Sequence, residues 1–480
     1  MNDSNRNCDV AVVGAGGAGL AAACAAAEQG ARVVVIEKLA RLAGTTSWSV
    51  GSIAAAGTRL QREAGVFDTP EAFAEDMVLA HPQSQDTQQL RLMLARESGA
   101  TVDWLEHIGV VFLGPFPEPP NRVPRMHNAV PAGRVYLQVM AGAARRLGVE
   151  LRHGARATEL IIEDGTIRGV RYQSASGAQL LRARSVVLAS GDYSASAQLR
   201  EQHLSRAAAA AIPINANSTG DGHRMALQAG ARMVRMDAVF GPQLRFVAAA
   251  SAPWIASLPD WRWLRRFGAA FIRRAPPALL GMLAKQLLVA HMSPSEQLFE
   301  AGAVLVDAGG DCVGTSGTAA EALALRPGAS GFVVGDAALA ARFSSYPHFM
   351  STAPGIAFAY FRDYERGRPD LVHWGADAKD LAARLGFDAA RFTQATSHLS
   401  GRLFALGPCQ AMLTVTEGGA AIDARGRVLD NAGCAITGLY AAGGNGQSGL
   451  LLKGHGLHLA WAMSSGRVAG ASAGADALAL

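Results

Sequence analysis

A glycine-rich turn between two short apolar runs, close to the start of the chain, constrains the fold more than any other feature of the sequence. Residues 10–13 and 33–36 are apolar runs of the kind that form buried parallel strands. Between them the chain reads GAGGAGLAAACAAAEQG, which is typical of a tight turn and then a helix that stops near Gly30. The order strand, turn, helix, strand predicts a βαβ unit.

The spacing of the glycines in this turn is GxGxxG, at Gly14, Gly16 and Gly19. Gly14 permits the turn, Gly16 lets the backbone approach a pyrophosphate, and Gly19 lets helix and strand pack closely. The start of the helix offers amides to phosphates, and Glu37 ends the second run where an acid accepts ribose hydroxyls. The pattern favours a dinucleotide site over a turn that merely packs closely. It does not separate FAD from NAD.

Composition narrows the class of protein further. A chain of 480 residues, half of them apolar, has material for a large core, and its length favours two domains. The net charge of +5 is a mild excess, and neither lysine runs nor basic stripes interleaved with aromatic residues dominate the sequence, so no nucleic-acid partner is expected. Small acidic substrates and an anionic membrane surface stay open.

The cysteines and the first residues indicate the compartment. The cysteines form no CxxC pair and are too scattered for a metal cluster, so no metal site is predicted. They are Cys8, Cys24, Cys312, Cys409 and Cys434. The opening MNDSNRNCDV lacks the features of a signal peptide, and no run reaches the roughly eighteen apolar residues of a spanning helix. We expect a cytoplasmic protein, with peripheral attachment to the inner face of the membrane as the alternative.

Four further stretches of the sequence carry motifs in the same order as in one known protein family. RLAGTTSWSVGS follows Glu37, VVLASGDYS contains residues 189–191, and STGDGH contains residues 219–222. TEGGAAIDARGRVLDNAGCAITGLYAAGG then ends at residue 444. Over about residues 8–240 and 405–470 the chain resembles the FAD-dependent fumarate reductase and succinate dehydrogenase flavoprotein superfamily, in particular its ketosteroid-dehydrogenase-like branch.

This resemblance implies an α/β fold, with a Rossmann-type, glutathione-reductase-like FAD domain and an inserted α+β cap domain. The implied boundaries are 1–240 and 405–480 for the FAD domain and 241–404 for the cap. FAD is expected to bind non-covalently, because no histidine lies within residues 42–52. The predicted cofactor-binding residues are Gly14, Gly16, Gly17, Ala18, Gly19, Glu37, Lys38, Gly44, Thr45, Thr46, Ser47, Gly51, Ala157, Ala189, Ser190, Gly191, Asp221, Gly443, Gly444 and Leu459.

The chain departs from both active sites of the family. Where the resemblance implies a proton-donating arginine in the cap, shortly after residues 303–307, the segment DCVGTSGTAAEALALRPG has no arginine before Arg326, and the residues directly before TEGG are MLTV, without a histidine. The ketosteroid dehydrogenase pattern places Leu452 at a catalytic tyrosine and Gly456 at the glycine whose amide binds a carbonyl. The fumarate reductase pattern places Lys453 at a carboxylate-binding arginine, with the charge but without the bidentate fork.

The stretch AAGGNGQSGLLLKGHGLHLAWAM therefore carries the predicted chemistry. Lys453 or His455, with the amide of Gly456, would stabilise the enolate-like charge on a substrate oxygen. Alternatives are a solvent-directed lysine at Lys453 and a local backbone contact for His455, and His458 is expected to serve helix packing or to contact the flavin edge.

The base is predicted within the cap. Tyr346 is the candidate, against the alternative that it covers a cap loop. Arg125 and His127 form a second candidate wall for substrate. The predicted catalytic residues are Tyr346, Lys453, His455 and Gly456.

The resulting hypothesis is an FAD-dependent dehydrogenase or reductase that acts on a carbon–carbon bond next to a carbonyl. Desaturation of a cyclic ketone or ketosteroid-like substrate is favoured. Reduction of an unsaturated carboxylate is the first alternative. The second is a flavin-bearing electron-transfer or membrane-docking subunit. The expected partners are a small-molecule carbonyl substrate and an unidentified electron acceptor or donor. Peripheral membrane or oligomer contact is expected through residues 254–292, where arginines alternate with aromatic residues.

Overall fold

The computed structural model describes residues 8–82, 87–247, 263, 267–268, 270–272, 293–314, 318–353, 357–452 and 454–479. The strands are β1 Val10–Val13, β2 Val33–Glu37, β3 Ser52–Ala54, β4 Phe112–Phe116, β5 Met126–Ala129, β6 Glu150–His153, β7 Arg156–Glu163, β8 Thr166–Ser174, β9 Gly177–Arg182, β10 Ser185–Leu188, β11 Ile212–Pro213, β12 Met233–Val234, β13 Val239–Phe240, β14 Gln243–Phe246, β15 Val304–Asp307, β16 Ser330–Asp336, β17 Ser351–Ala353, β18 Ala357–Ala359, β19 Val372–Gly375, β20 Leu403–Leu413, β21 Val415–Thr416, β22 Gly419–Ala420, β23 Arg427–Leu429 and β24 Ala435–Ala441.

The described α-helices are α1 Gly17–Glu28, α2 Arg59–Glu63, α3 Pro70–Ala80, α4 Gln88–Ile108, α5 Arg134–Arg146, α6 Ala197–His203, α7 Arg206–Ala210, α8 Asp221–Gln228, α9 Gln297–Glu300, α10 Ala319–Ala324, α11 Ala337–Arg342, α12 Phe361–Gly367, α13 Ala378–Leu385, α14 Ala389–Ala395 and α15 Leu457–Ala479. Short 3₁₀ turns cover Thr45–Trp48, Pro327–Ala329, Pro369–Leu371 and Gly443–Gly446.

A six-stranded sheet in the order β23-β24-β10-β1-β2-β6 forms the first layer. The strand β1 is central and parallel to both β2 and β10, so that Val10 lies opposite Val33 on one side and Ser185 on the other. Because the chain crosses to β2 on one side of β1 while β10 occupies the other, the carboxyl end of β1 is a topological switch point, where such sheets open a ligand crevice. The predicted βαβ unit and Rossmann-type α/β class are confirmed.

Small residues allow α1 and α15 to pack with their backbones close together. Gly466 and Gly470 lie four residues apart on one face of α15, and a Cβ atom there would come within 2.4 Å of the Ala18 carbonyl oxygen and 2.1 Å of the Ala22 carbonyl oxygen, respectively. Residues spaced by four share a helix face, so this glycine stripe holds the last helix against the glycine-rich turn.

A second sheet has β20 at its centre and runs in the order β11-β20-β16-β15, with β14 and β19 also paired to β20. It has its own buried core. The implied boundary between residues 404 and 405 falls inside β20, and β11 joins this sheet from within the range assigned to the FAD domain. The boundaries therefore stay predictions.

Most of the basic, aromatic stretch at 254–292 lies outside the described residues. Of its aromatic side chains, the structure describes Trp263, Phe267 and Phe271, and all three are exposed. Among the helices that the structure describes, none has both the length and the hydropathy needed to span a membrane.

Candidate active site

The glycine-rich turn has the geometry that its spacing predicts. Gly14 has a φ of +100°, and a Cβ atom there would lie 2.6 Å from the Ala189 carbonyl oxygen. A Cβ atom on Gly19 would lie 1.8 Å from the Gly14 carbonyl oxygen. A Cβ atom on Gly16 would meet nothing within 4 Å. The first two positions therefore need glycine for packing, whereas Gly16 faces open space beside the start of α1.

Residues 44–51 return to this turn. The Gly17 amide donates to the Thr46 hydroxyl at 3.2 Å, and a Cβ atom on Gly44 would lie 3.1 Å from the Gly16 Cα atom. The Ser47 hydroxyl donates to the Gly44 carbonyl at 2.8 Å. Further along, the Thr45 hydroxyl accepts from Asn215, and the Gly51 carbonyl accepts from Tyr136. The structure thus brings Gly16, Gly17, Gly44 and Thr46 together.

Glu37 lies at the edge of the same crevice. Its two carboxylate oxygens accept the amides of Ala15 at 2.8 Å and Leu39 at 2.9 Å. These bonds fix the carboxylate beside the turn, and a carboxylate has lone pairs left for ribose hydroxyls.

Asp221 and Ala157 border a second part of the predicted cofactor site. Burial opposes ionisation of Asp221, but ion pairs with Arg156 at 2.8 Å and Lys38 at 3.0 Å outweigh it and hold its pKa at about 2. Both Asp221 and Ala157 line a cavity of about 350 Å³, together with Arg224.

The loop after β10 meets the turn after β24. The Ser190 amide and hydroxyl donate to the Asn445 side-chain oxygen at 2.7 and 3.0 Å. A Cβ atom on Gly444 would lie 2.9 Å from the Asp192 amide nitrogen, and one on Gly443 would lie 2.9 Å from the Ala18 Cβ atom. Gly191 has a φ of +88°. Leu459 is buried on the first turn of α15.

Asn445 and His223 are polar residues that the sequence reasoning did not single out. Asn445 is buried and donates to His223 Nδ1 at 3.0 Å, while His223 Nε2 donates to the Gly418 carbonyl at 3.0 Å. Burial lowers the pKa of His223 despite that carbonyl bond. The pair joins α8 to the segment after β24, and no local spacing in the sequence connects them.

The loop before α15 lies against β3. Gly456 has a φ of +84°, its carbonyl accepts the Ala54 amide at 3.2 Å, and a Cβ atom there would lie 2.6 Å from that nitrogen. Because β3 follows residues 44–51 directly, this loop lies next to the segment that returns to the glycine turn. Lys453 lies outside the described residues.

His455 pairs with a carboxylate far away in the sequence. Its Nδ1 donates to Glu118 Oε1 at 2.5 Å, while 57% of the imidazole side chain is exposed. This hydrogen bond raises the pKa of His455 and outweighs its burial. The alternative of a local backbone contact is not what the structure shows, and Glu118 was missed because it is 337 residues away.

His458 pairs with a second carboxylate that the sequence reasoning missed. Its Nε2 donates to Glu417 Oε1 at 3.0 Å, and its ring lies 5.6 Å from the Phe240 ring. Burial opposes ionisation of Glu417, but the bond to His458 and the Leu452 amide outweigh it and lower its pKa. His458 therefore joins α15 to the TEGG segment through this hydrogen bond.

Arg245 on β14 is a cation without an acidic partner in the part of the chain that the structure describes. It is half-buried, its Nη2 donates to Gln243 at 3.2 Å and Thr414 at 3.4 Å, and its Nε is buried without a partner there. Burial lowers the pKa of Arg245, and its charge opposes protonation of His455. Thr414 lies just before TEGG, where the resemblance implied a histidine.

The prediction of a substrate wall at Arg125 and His127 is wrong. Arg125 is fully buried, makes a bidentate ion pair with Asp68 at 2.7 Å and a second ion pair with Asp76, and so has a structural partner for its charge. His127 is also fully buried, accepts or donates at the Thr58 hydroxyl at 3.0 Å, and burial lowers its pKa to about 4.

Tyr346 lies on the protein surface, in the part of the molecule that contains the second sheet. Its side chain is 71% exposed and its ring centre is 5.8 Å from that of Phe358. Its role as a base stays a prediction. In the ranges that the structure describes, no group of three or more His, Cys, Asp or Glu side chains is placed to hold a metal ion.

A mostly parallel sheet with an open glycine turn at its switch point, and a cavity lined by Asp221 and Ala157, is typical of a dinucleotide-binding protein. The chain belongs to the FAD binding domain family, whose model matches residues 9–254. The residues present fit FAD, because Gly16 leaves room where a pyrophosphate approaches and the cavity beside Ala157 leaves room for the adenosine end. FAD is therefore the cofactor.

Relatives and solved structures agree with this family. The chain is 31% identical over 233 residues to a probable fumarate reductase of Shewanella frigidimarina, covering 48% of this chain and 40% of that protein. The chain therefore spans less than half of that relative. It shares its fold with a flavocytochrome c3 fumarate reductase (TM-score 0.74, 24% identity, 99% of this chain and 80% of that one). The same holds for a 3-ketosteroid delta1-dehydrogenase of Sterolibacterium denitrificans (TM-score 0.68, 17% identity, 98% and 99%).

Proposed function

We propose that the protein is an FAD-dependent oxidoreductase that acts on a carbon–carbon bond next to a carbonyl group. The observation that carries this proposal is the position of the loop before α15. It lies against β3, next to the segment that returns to the glycine turn, and presents His455, whose Nδ1 is held by Glu118. When bound, FAD supplies the hydride chemistry.

The chain's own residues bind and polarise the substrate. His455 donates a hydrogen bond to the carbonyl oxygen, and the Gly456 amide is the second candidate donor. A donor at that oxygen stabilises the negative charge that develops when the neighbouring carbon loses or gains a proton. Tyr346 is the candidate base in one direction and the candidate acid in the other.

Desaturation of a cyclic ketone or ketosteroid-like compound is the first candidate reaction. It is supported by the absence of the family's arginine and histidine from their expected places, and by buried leucines beside the loop. These are Leu450, Leu451, Leu452 and Leu457. An apolar segment of this kind suits a substrate with an apolar ring and one carbonyl oxygen.

Reduction of an unsaturated carboxylate is the second candidate, and Arg245 favours it. A half-buried guanidinium with no acidic partner among the described residues is costly unless an anion compensates it in the working state. A substrate carboxylate would supply that anion. The relative named a fumarate reductase agrees with this chemistry.

Steady-state assays with FAD-loaded protein test the proposal. Cyclic ketones are offered with an oxidised dye, and unsaturated carboxylates are offered with a reduced dye. We expect turnover of one of these two classes. Failure of both would contradict the proposal and favour a flavin-bearing electron carrier or membrane-docking subunit without substrate chemistry of its own.

The variant Arg245→Met separates the two candidates, because it removes the charge and keeps most of the side-chain volume. If the substrate is a carboxylate, we expect KM to rise at least about tenfold, as expected for a lost charged hydrogen bond. If the substrate is a ketone, KM should stay within about twofold of the wild-type value, and the hypothesis that Arg245 binds a carboxylate is then wrong.

A further inference from the structure

The carboxylate of Glu118 is buried. This burial costs free energy and therefore points to a functional role. Glu118 follows β4, and its own carbonyl accepts both the amide and the side chain of Asn121, at 3.0 and 2.8 Å, which fix the backbone of the turn. The residue is 7% exposed. One carboxylate oxygen accepts from His455, and the other is buried with no hydrogen-bond partner in the part of the chain that the structure describes. Buried carboxylate oxygens are normally satisfied.

A small cavity adjoins this carboxylate. It measures about 20 Å³, enough for a single water molecule, and Glu118, His455, Gly454, Asn121 and Asp76 line it. The carboxylate of Glu118 therefore contacts the imidazole of His455 beside a water-sized space that both residues line. This contact lies at the loop before α15.

The imidazole of His455 has two distinct ends. Nδ1 is held by Glu118, so the ring is fixed in orientation and tautomer. More than half of the side chain is exposed, which leaves Nε2 as the end available to a ligand. A buried carboxylate that binds one imidazole nitrogen makes the imidazole more effective in proton transfer at its other nitrogen.

Other charged groups around His455 do not cancel this effect. Asp76 borders the same cavity, but its carboxylate is already occupied by two arginine ion pairs. Arg245 opposes protonation of His455. Glu118 is the carboxylate in direct contact, and its influence exceeds that of Arg245 and of burial, because the pKa of His455 is raised on balance.

We propose that Glu118 is a positioning residue that holds His455 as a cationic proton donor, with Nε2 presented to the substrate oxygen. The inference rests on the proposed function, which it deepens. In the reductive direction a proton passes from Nε2 to the enolate oxygen, which leaves an enol and a neutral imidazole bonded to Glu118 through Nδ1. When the neighbouring carbon is then protonated and the carbonyl re-forms, the oxygen returns this proton to Nε2. In the oxidative direction the cationic imidazole protonates the oxygen as the neighbouring carbon loses its proton, and it recovers that proton when the product carbonyl forms. The proton transfer itself changes no oxidation state.

The pH dependence follows from the sign of the shift. A histidine with a raised pKa is a cation below that pKa and loses its charge as the pH rises through it. Activity that needs the cationic donor therefore falls on the alkaline side. Removing the charge of Glu118 moves that fall to lower pH.

The test uses Glu118→Gln in full-length, FAD-loaded protein. Imidazole resonances are followed by NMR from pH 5 to 9 without substrate, and His455→Asn identifies the resonance of His455. We expect Glu118→Gln to lower the pKa of His455 by about one unit, a tenfold change in its protonation constant. With whichever carbonyl compound is turned over, the alkaline limb of kcat/KM should move down by the same amount.

Glu417→Gln is the matched control, because Glu417 forms a hydrogen bond with Nε2 of the neighbouring His458. It should leave the titration of His455 within about 0.2 units. Thermal unfolding and the flavin spectrum show whether each variant is folded.

The outcomes separate the two proposals. An unchanged His455 titration in folded Glu118→Gln would overturn the positioning role, whatever the enzyme turns over. A shifted titration with an unmoved kcat/KM profile would overturn the donor role of His455. If no carbonyl compound is turned over at all, the proposed function fails and the donor role fails with it, while the titration still measures the Glu118–His455 coupling.

Discussion

Gly14 and Gly16 lie two residues apart in one turn, yet a side chain would meet very different surroundings at each. At Gly14 the positive φ and the Ala189 carbonyl leave no room for a Cβ atom. At Gly16 the backbone is extended, with φ −76° and ψ −172°, and the space is open. Gly14 is therefore required by the fold, and we expect Gly16 to be required by the cofactor.

Gly16→Val should separate folding from FAD binding. We expect the free energy of unfolding of the FAD-free protein to change by less than about 0.5 kcal/mol, because a Cβ atom at this position meets no protein atom within 4 Å. For wild-type protein, free FAD at one hundred times Kd should add about 2.7 kcal/mol of stability. The variant should lose this gain, because its side chain occupies the path of the pyrophosphate. Thermal unfolding with and without FAD measures both quantities.

Gly14→Ala is the contrasting variant. It should destabilise the FAD-free protein itself by about 2 kcal/mol, through strain at a positive φ and contact with the Ala189 carbonyl. Equal FAD responses in Gly16→Val and the wild type would show that the pyrophosphate does not pass this position.

Single residues also mark the limit of what the sequence predicts. The roles of Gly14, Gly16 and Gly19 can be predicted because their spacing is local and each glycine has a steric reason. The roles of Glu118 and Glu417 cannot, because the histidines that they bind lie 337 and 41 residues away and either carboxylate could equally be solvated. Arg125 was misinterpreted for the same reason, since Asp68 and Asp76 carry no signal of pairing with it.

Among the elements, α1 and α15 depend on each other most directly. The glycine stripe of α15 lets its backbone approach the carbonyls of α1, and α1 starts at the glycine turn. The sequence predicts α1 from the order strand, turn, helix, strand. It does not predict that α1 and α15 face each other, because alanine-rich helices without a polar face look alike at every orientation.

Gly470→Leu tests this packing. A Cβ atom at Gly470 would lie 2.1 Å from the Ala22 carbonyl oxygen, so the helices must separate. We expect the free energy of unfolding to fall by about 2 kcal/mol, after about 1 kcal/mol of gained helix propensity is allowed for. Urea denaturation measures the change. Ala475→Leu, at an exposed position of the same helix, is the control and should change stability little. A similar small change in both variants would mean that the stripe is not a tight contact.

At the scale of the whole molecule, the class of fold follows from local patterns and the arrangement of the site does not. The strands, the turn and the family order of the motifs predict a Rossmann-type domain with an insertion, and the family assignment agrees. The exact limits of the insertion escape this reasoning, because β11 and β20 serve the second sheet while lying beside motifs of the first. Strand pairing over two hundred residues leaves no periodic signal.

The six-stranded sheet takes β24 from near residue 440, and the loop before α15 lies next to the segment that returns to the glycine turn. On a ribosome, a nascent polypeptide that has emerged only as far as β20 has made the glycine turn, β2 and β10 but has nothing to seal them. We therefore expect flavin capture to be a late event in biosynthesis, with the apolar edge of β10 unpaired until β24 arrives.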